Sequence, residues 1–598
     1  MKFKAAFLAA LYAVMLFTAD VSANETEINS KNFPDDIFRE YVSQKFDRNN
    51  DGKLSAEELK ADKYKGLVIN VSGMKIKDLS GIELFAELTE LDCTDTLITE
   101  LDVSKNRKLR TLICGRCGIT GLDVTNNPLL ETLECSNGYF GIGENEYASA
   151  PGLIDLSKNK KLKRLVLQNA MLTQVDVSKN TGLVYLDVSW NYLEGLDVTN
   201  NTALEELDCT WSFVDPEGGL RNVSQPDISR NKKLKKFYCG QNGFEEIDVS
   251  GNPELIVLST YNNKLRQIDV SGNPELIVLS TYNNKLHQID VSKNPKLTKL
   301  DCEENELYKL DVSQNKELTR LDCSYNRLMK LDLSEHDKLT ELNCRENKLR
   351  DMDLTGCTSL ESLDCEYNLL DALDVSDCQS LTKLDARNNR LLRAELYHPD
   401  KGEKREKVDY YFSDNRLTSI DCSGYKKYDV SVYWQYRSIK VINGKYDLTE
   451  LESCGLDPTK INFVNGAEYD AKENAFVNFT RGDIYYDYDL GNGDNATFYL
   501  YAKLYSDDAS KKPFLFAYNT DQAVIGWDNI SGADKYEVQR YNEDTKKWET
   551  VCETRSDRFY DDGIEEDVTY KYRVCAYVNG KRGPYSDVAE TGTFWSYY

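Results

Sequence analysis

Leucine recurs along this chain in steps of 21 residues: Leu88, Leu109, Leu130; Leu162, Leu183, Leu204; then Leu234, Leu255, Leu276, Leu297, Leu318, Leu339, Leu360 and Leu381. The two longer steps, 32 after Leu130 and 30 after Leu204, carry insertions of 11 and 9 residues. Inside each period, apolar positions fall two or three apart with polar residues between them. That spacing predicts short strands joined by turns, each with an apolar side too small to bury alone. Neighbouring turns must therefore stack. Leu88, Leu91, Cys93 and their counterparts are expected to point inward.

One unit reads Leu297-Thr-Lys-Leu300-Asp301-Cys302-Glu-Glu-Asn305-Glu-Leu307, then Tyr-Lys-Leu310-Asp311-Val312-Ser313-Gln-Asn315. The first half follows L-x-x-L-x-L-x-x-N-x-L with Cys in the third apolar place. This resembles the leucine-rich repeat family, most of all the secreted, internalin-like proteins of bacteria, over Leu67 to Ser423. The resemblance implies a repeat solenoid with parallel strands on a concave face that holds a partner. The Asn at 242, 263, 284, 305, 326, 347 and 368 should form a ladder, because a buried amide must hydrogen-bond the backbone of adjacent turns. Ile247 to Gln267 and Ile268 to Gln288 differ only at Arg266 versus His287, a recent internal duplication.

The second half-repeat fits the strand pattern as well. Its Asp recurs at 102, 123, 155, 176, 197, 227, 248, 269, 290, 311, 332, 353, 374 and 421, with Ser or Thr two places later each time. Bare carboxylates stacked about 4.8 Å apart would repel by about 1 kcal/mol per neighbour even in water. These Asp are therefore expected to accept backbone or hydroxyl hydrogen bonds on the convex side. The first half, whose outward positions vary, is assigned to the concave strands.

Sixteen cysteines in an exported chain would suggest disulfides. Here Cys93, Cys114, Cys135, Cys209, Cys239, Cys302, Cys323, Cys344 and Cys365 share one inward position, and Cys117, Cys357 and Cys378 replace Asn in the ladders. Buried Cys behaves as a small apolar residue, so reduced thiols are expected. Cys114-Gly-Arg-Cys117 lacks the helix N-terminus that would activate it.

Ahead of the repeats, Asp47-Arg-Asn49-Asn-Asp51-Gly52-Lys53-Leu54-Ser55-Ala-Glu-Glu58 matches the calcium loop D-x-[DN]-x-[DN]-G-x5-E throughout. It resembles an EF-hand. The resemblance implies Ca2+ as cofactor, with side-chain oxygens from Asp47, Asn49, Asp51 and Glu58, the carbonyl of Lys53, and Ser55 through water. Phe38, Tyr41, Val42 and Phe46 give the incoming helix an apolar stripe, with Pro34 near its start.

After Ser423 the period fades. Val430-Ser-Val432-Tyr-Trp434 and Ala496 to Leu504 alternate as strands do, which suggests a β-rich module closing the solenoid. Arg481-Gly482-Asp483, an integrin-type tripeptide, reads as a polar turn. Beyond a linker at Ser506 to Pro513, Val524-Ile-Gly-Trp527, Tyr536-Glu-Val538 and Tyr570-Lys-Tyr572-Arg-Val574 resemble a fibronectin type III domain. That implies a β-sandwich with Trp527 in its core and Tyr570 as a tyrosine corner.

Composition narrows the chemistry. Lys plus Arg is 74 and Asp plus Glu is 100, a net charge of −26 that repels nucleic acid. His287, His336 and His398 are the only histidines, which leaves almost no room for histidine-based metal clusters or nucleophile activation. Lys2, Lys4, the apolar run Ala5 to Phe17 and Val21-Ser22-Ala23 read as an export signal, and no segment is long and apolar enough to span a membrane. The organisation expected is signal peptide 1–23, calcium cap 24–66, leucine-rich repeats 67–424, β-rich cap 425–507 and sandwich 508–598.

On the assumed concave face, outward positions are the third, fifth, seventh and eighth from each repeat leucine. They hold Tyr185, Trp190, Trp211, Tyr238, Tyr261 and Tyr282, the residue types that anchor binding surfaces. From Lys299 onward they hold mixed charges. No nucleophile, zinc or phosphate-loop motif is present. The expectation is a secreted or cell-surface, non-catalytic protein that binds a protein or glycan ligand, with association to a cell wall or host surface left open. A structural envelope component and a carboxylate-based glycan hydrolase are the alternatives.

Overall fold

The computed structural model describes residues 25–591 apart from 61–65, 120, 137–153, 216, 400–407, 427–428, 443, 481, 507–511, 514, 520–522, 531, 562–563 and 565–567. The expected leader at 1–23 and Arg481 lie outside the described residues. The chain divides into two compact units, Met1–Leu318 and Thr319–Tyr598.

The first unit begins with a helix, Asp36–Phe46, capped by Asp35, whose carboxylate accepts the Ile37 and Phe38 N–H groups at 2.9 and 3.0 Å. Its stripe of Phe38, Val42 and Phe46 is buried. Phe46 packs 5.0 Å from Phe85 of the first turn, and the Tyr41 hydroxyl accepts the Asn70 N–H. Lys53–Leu54, inside the calcium-type loop, pairs antiparallel with Thr26–Glu27.

Parallel strands follow, one per turn, from Leu67–Asn70 and Leu88–Asp92 to Val278–Ser280 and Lys299–Asp301. They pair residue for residue: Leu258 stands opposite Phe237 and Leu279, which in turn faces Leu300. The insertions leave this register intact, since Leu133 faces Leu165 and Leu207 faces Phe237 across them. Inward leucines and cysteines are almost wholly buried, each leucine contributing about 1.5–3 kcal/mol relative to exposure.

After nine of these strands the chain turns through a left-handed residue: Asp95, Arg116, Asn169, Trp190, Trp211, Gln241, Asn262, Asn283 and Glu304, with φ between 47° and 61°. The conformation aims that residue's N–H at the next turn, as Asn262 N–H does at the Tyr282 carbonyl (2.9 Å). Asparagine tolerates it best; a tryptophan there costs on the order of 1 kcal/mol.

In the second unit the parallel sheet comprises Arg320–Asp322, Glu341–Asn343, Ser362–Asp364, Lys383–Asp385, Asp409–Tyr411 and Val430–Ser431. Pairing thus runs past residue 424, and Gln435 stands where Asn would, accepting the Leu417 N–H at 3.0 Å. The ambiguous second half-repeat pairs only in part. It forms the two-stranded sheets Lys330–Asp332 with Asp351–Asp353 and Ala372–Asp374 with Arg393–Glu395. In the first unit it gives single bridges such as Asp248 to Asp269.

Gln435–Ile442 then opens a five-stranded sheet with Asn495–Ser506, Asp483–Asp489 and Ile461–Asn465, the short strand Asn529–Ile530 pairing with the end of Asn495–Ser506. The C-terminal segment carries two antiparallel sheets, one around Ala523–Trp527 and one around Ala533–Asn542 and Lys571–Val578. They share a core of Ile525, Trp527, Tyr536, Val538, Tyr572 and Val574.

Candidate functional site

Three polar ladders hold the turns and so set the face they present. Asn284 shows the first: its Oδ1 accepts the Leu265 N–H at 3.0 Å, and its Nδ2 donates to the Thr260 and Thr281 carbonyls at 3.0 Å. The second runs through Asn106, Asn127, Asn159 and on to Asn315. There Nδ2 donates to two carbonyls of the preceding turn and Oδ1 has no partner. Cys357 takes a place in it, donating to the Leu333 carbonyl at 3.3 Å. The third is the aspartate row. At all fourteen positions the carboxylate accepts the N–H of the Ser or Thr two residues on. Those hydrogen bonds hold Asp102, Asp176 and Asp248 below the usual carboxylate range. All sixteen cysteines are unbridged, and all but Cys454 and Cys552 are buried.

On the outer face of the first unit's sheet, the predicted aromatics assemble as two stacked pairs. Trp190 and Trp211 occupy the left-handed position of successive turns with ring centroids 4.7 Å apart, and Trp190 remains 47% exposed. Tyr261 and Tyr282 lie 4.8 Å apart and within 6° of parallel. Gly240 makes room for this pair: a Cβ there would meet Tyr261 Cε1 at 2.7 Å. Tyr185 lies under the Arg164 guanidinium at 3.8 Å, and Arg164 is itself tied to Glu134 at 2.6 Å. Tyr238 ends its strand in register with Asp208. No direct ring contact joins Tyr185 or Tyr238 to either stacked pair among the described residues.

Two carboxylates share this face and were not singled out from sequence. Asp187 and Asp208 face each other across neighbouring strands. Asp187 accepts the Ser189 N–H and hydroxyl at 2.9 and 2.7 Å, and Asp208 accepts the Thr210 N–H at 2.9 Å. Burial pushes both up, Asp208 to about 6, with the neighbouring Asp187 adding to it. Their fifth-place position was readable; their burial was not, amid 100 acidic residues.

In the second unit, Asp364, Glu366 and Asp385 bring carboxylate oxygens within 4.8 Å of one another. Arg345 pairs with Glu366 and Arg387 with Asp385. Burial and the adjacent Asp385 still lift Asp364 to about 6.

The calcium-type loop offers only oxygen donors. Asp47 and Glu58 are 6% and 5% exposed, and neither forms an ion pair among the described residues. Asp47 accepts the Asp51 and Gly52 N–H groups at 3.1 and 3.0 Å; Glu58 accepts those of Arg48 and Ser55 at 2.8 Å and the Ser55 hydroxyl at 2.7 Å. Asn49 Oδ1 takes the Asp51 N–H and Asp51 Oδ1 the Lys53 N–H. Gly52, at φ 78°, makes the sharp turn. The three loop carboxylates do not close to within 4.8 Å of one another as the second unit's trio does. Two buried carboxylates with only neutral partners suit a divalent cation.

No protein-family model matches this sequence, and no curated protein does. Solved structures do. The functional domain of InlJ from Listeria monocytogenes, described as including a cysteine ladder, is similar at 25% identity with a TM-score of 0.59, over 80% of this chain and 99% of that one. An internalin, InlF, from Listeria monocytogenes str. 4b F2365 is 22% identical with a TM-score of 0.47, over 58% of this chain and 98% of its own. The leucine-rich effector YopM from Yersinia pestis is 20% identical with a TM-score of 0.43, over 66% and 93%. The parallel-strand solenoid with few helices matches the fold of the InlJ domain. No helix among the described residues is long and apolar enough to cross a membrane.

Proposed function

We propose that this chain is a secreted or cell-surface, non-catalytic binding protein that holds a protein or glycan on the outer face of its first parallel sheet. The observation that carries the reading is the pair of aromatic stacks, Trp190 on Trp211 and Tyr261 on Tyr282, held in the turns that follow paired parallel strands. A large ring immobilised before binding loses little entropy when a ligand arrives. Trp190 and Trp211 also sit in a backbone conformation unfavourable to bulky residues, a local cost that function explains better than stability. Asp187 and Asp208 add carboxylates at the ends of the strands that lead into the Trp190 and Trp211 turns.

In the same reading, calcium stiffens the N-terminal cap. Asp47, Asn49, Asp51 and Glu58 would hold it with side-chain oxygens, Lys53 with its carbonyl and Ser55 through water. Bound there, the ion supplies positive charge to two buried carboxylates; it takes no part in ligand chemistry. The C-terminal pair of sheets serves as a fibronectin type III-like spacer.

The test is a screen of the full chain against arrays of extracellular proteins and glycans, repeated with Trp190→Ala/Trp211→Ala/Tyr238→Ala. Hits lost or weakened at least tenfold in the variant support the reading. Hits that all survive remove the aromatic face from it.

A further inference from the structure

A second aromatic surface lies in the other unit, on the five-stranded sheet after the solenoid, and owes nothing to the reading above. That sheet alternates cleanly. Gln435, Arg437, Ile439 and Val441 are buried while Tyr436, Ser438, Lys440 and Ile442 are exposed. On the buried side Tyr486 and Phe498 are core, and the Tyr486 hydroxyl is satisfied by the Thr418 carbonyl at 2.6 Å. The opposite side should then be polar, as a solvated sheet face usually is. Instead it carries a line of rings that crosses four of its five strands. Tyr436 stands in register with Tyr499, and Tyr499 with Tyr485. Their centroids are 5.3 and 5.7 Å apart, and Phe463 on the fourth strand follows 6.2 Å from Tyr485. Tyr436, Tyr499 and Phe463 are 39%, 36% and 48% exposed.

Beside the line runs a polar row: Thr497 donates to Asp487 at 2.7 Å across the strands, and Asn462 Nδ2 to Asn495 Oδ1 at 3.1 Å. At one end a cleft of about 310 Å3 is lined by Tyr433, Trp434, Tyr499, Asn495 and Thr497, among others. Tyr433 and Trp434 are 68% and 59% exposed, and Trp434 has φ 55°. A bulky ring held in that conformation and left in water is an outlier from which function can be inferred.

We infer that this face is a binding platform for a neutral glycan chain. Pyranose rings present apolar C–H faces that stack on aromatic rings and hydroxyl edges that seek amides and carboxylates. A line of rings flanked by Asp487, Thr497, Asn495 and Asn462 offers both at once. A protein hot spot would want these rings in a desolvated pocket, whereas here they form an open strip. The charge nearest the row is the Asp487 carboxylate, which disfavours an anionic chain. The Lys440–Lys503 pair stands four residues further along the strands, about 13 Å away.

The experiment is retention of the full chain on cellulose, chitin, mannan and starch, with heparin, polygalacturonate and phosphatidylcholine vesicles as comparators. At least one neutral polymer should retain the protein. Tyr485→Ala/Tyr499→Ala should weaken that retention at least tenfold, while Tyr308→Ala, at an exposed ring that belongs to neither aromatic surface, leaves it unchanged. Should the double variant melt below the wild type, Tyr436→Ala/Phe463→Ala takes its place. No retention by any neutral polymer, retention that survives the variants, or preferred binding to heparin or vesicles overturns the inference.

Discussion

The two asparagine ladders look alike in sequence but should respond differently to truncation, and Asn284 and Asn273 in one duplicated repeat make the comparison clean. Asn284→Ala removes the only acceptor of the buried Leu265 N–H. The carbonyls it serves keep other donors: Thr260 retains Asn263 Nδ2, and Tyr282 retains the Asn262 N–H. The variant thus orphans one backbone N–H, about 1–3 kcal/mol, and forfeits net side-chain bonding of about 1 kcal/mol. Asn273→Ala orphans nothing. The Val249 carbonyl keeps the Asn252 N–H and the Asn252 carbonyl keeps the Leu255 N–H. It also deletes an Oδ1 that had no partner, so its cost should be about 0–1 kcal/mol. A natural contrast supports the reasoning. Where Ser212 replaces the first-ladder Asn, the Leu193 N–H turns instead to the Ser212 carbonyl at 2.7 Å. The assay is amide hydrogen exchange over residues 260–270 together with urea unfolding of each variant. Exchange at Leu265 should accelerate in Asn284→Ala and hold near wild type in Asn273→Ala. Equal or greater loss in Asn273→Ala would refute the account.

Millimolar calcium should raise the unfolding temperature of the wild type and leave Asp47→Ala/Glu58→Gln unmoved; a wild type that shows no heat in calorimetry removes the ion. Asp208 carries its proton to about pH 6 in the native state against an ordinary 3.8, so the native state holds a proton that the unfolded chain releases. Stability from this group therefore falls as pH climbs from about 4 to 6. Asp208→Asn should raise the melting temperature at pH 8 and have no such effect at pH 4, read by thermal melts across that range. A thiol reagent should label only Cys454 and Cys552 quickly in the native protein and reach the other cysteines after unfolding; rapid native labelling of Cys302 or Cys344 would contradict their burial.

The 21-residue leucine period, the Asn and Cys places and the Asp-x-Ser pairs are local rules repeated many times, so they name the inward side, the ladder residues and the turn bonds without any structure. Trp190 with Trp211 and Tyr261 with Tyr282 are each one period apart, and a parallel register must then set them side by side. The varying outward positions of the first half-repeat assigned it to the continuous strands, and it forms them; that the second half pairs in part, as at Lys330–Asp332 with Asp351–Asp353, was not legible. Pairing depends on how closely successive turns approach on each side, a property of the stack and of no single turn. Nor could sequence say that Asp208 would be pushed to about 6 while Asp248 is held low. Both are aspartates followed by a hydroxyl residue two places on, and burial among neighbouring turns separates them. The line from Tyr436 to Phe463 joins residues from four strands scattered over Gln435 to Ser506, out of the order in which the chain lists them. Only the sheet brings them into one row, because cross-strand neighbours are chosen by hydrogen-bond register and carry no local signal.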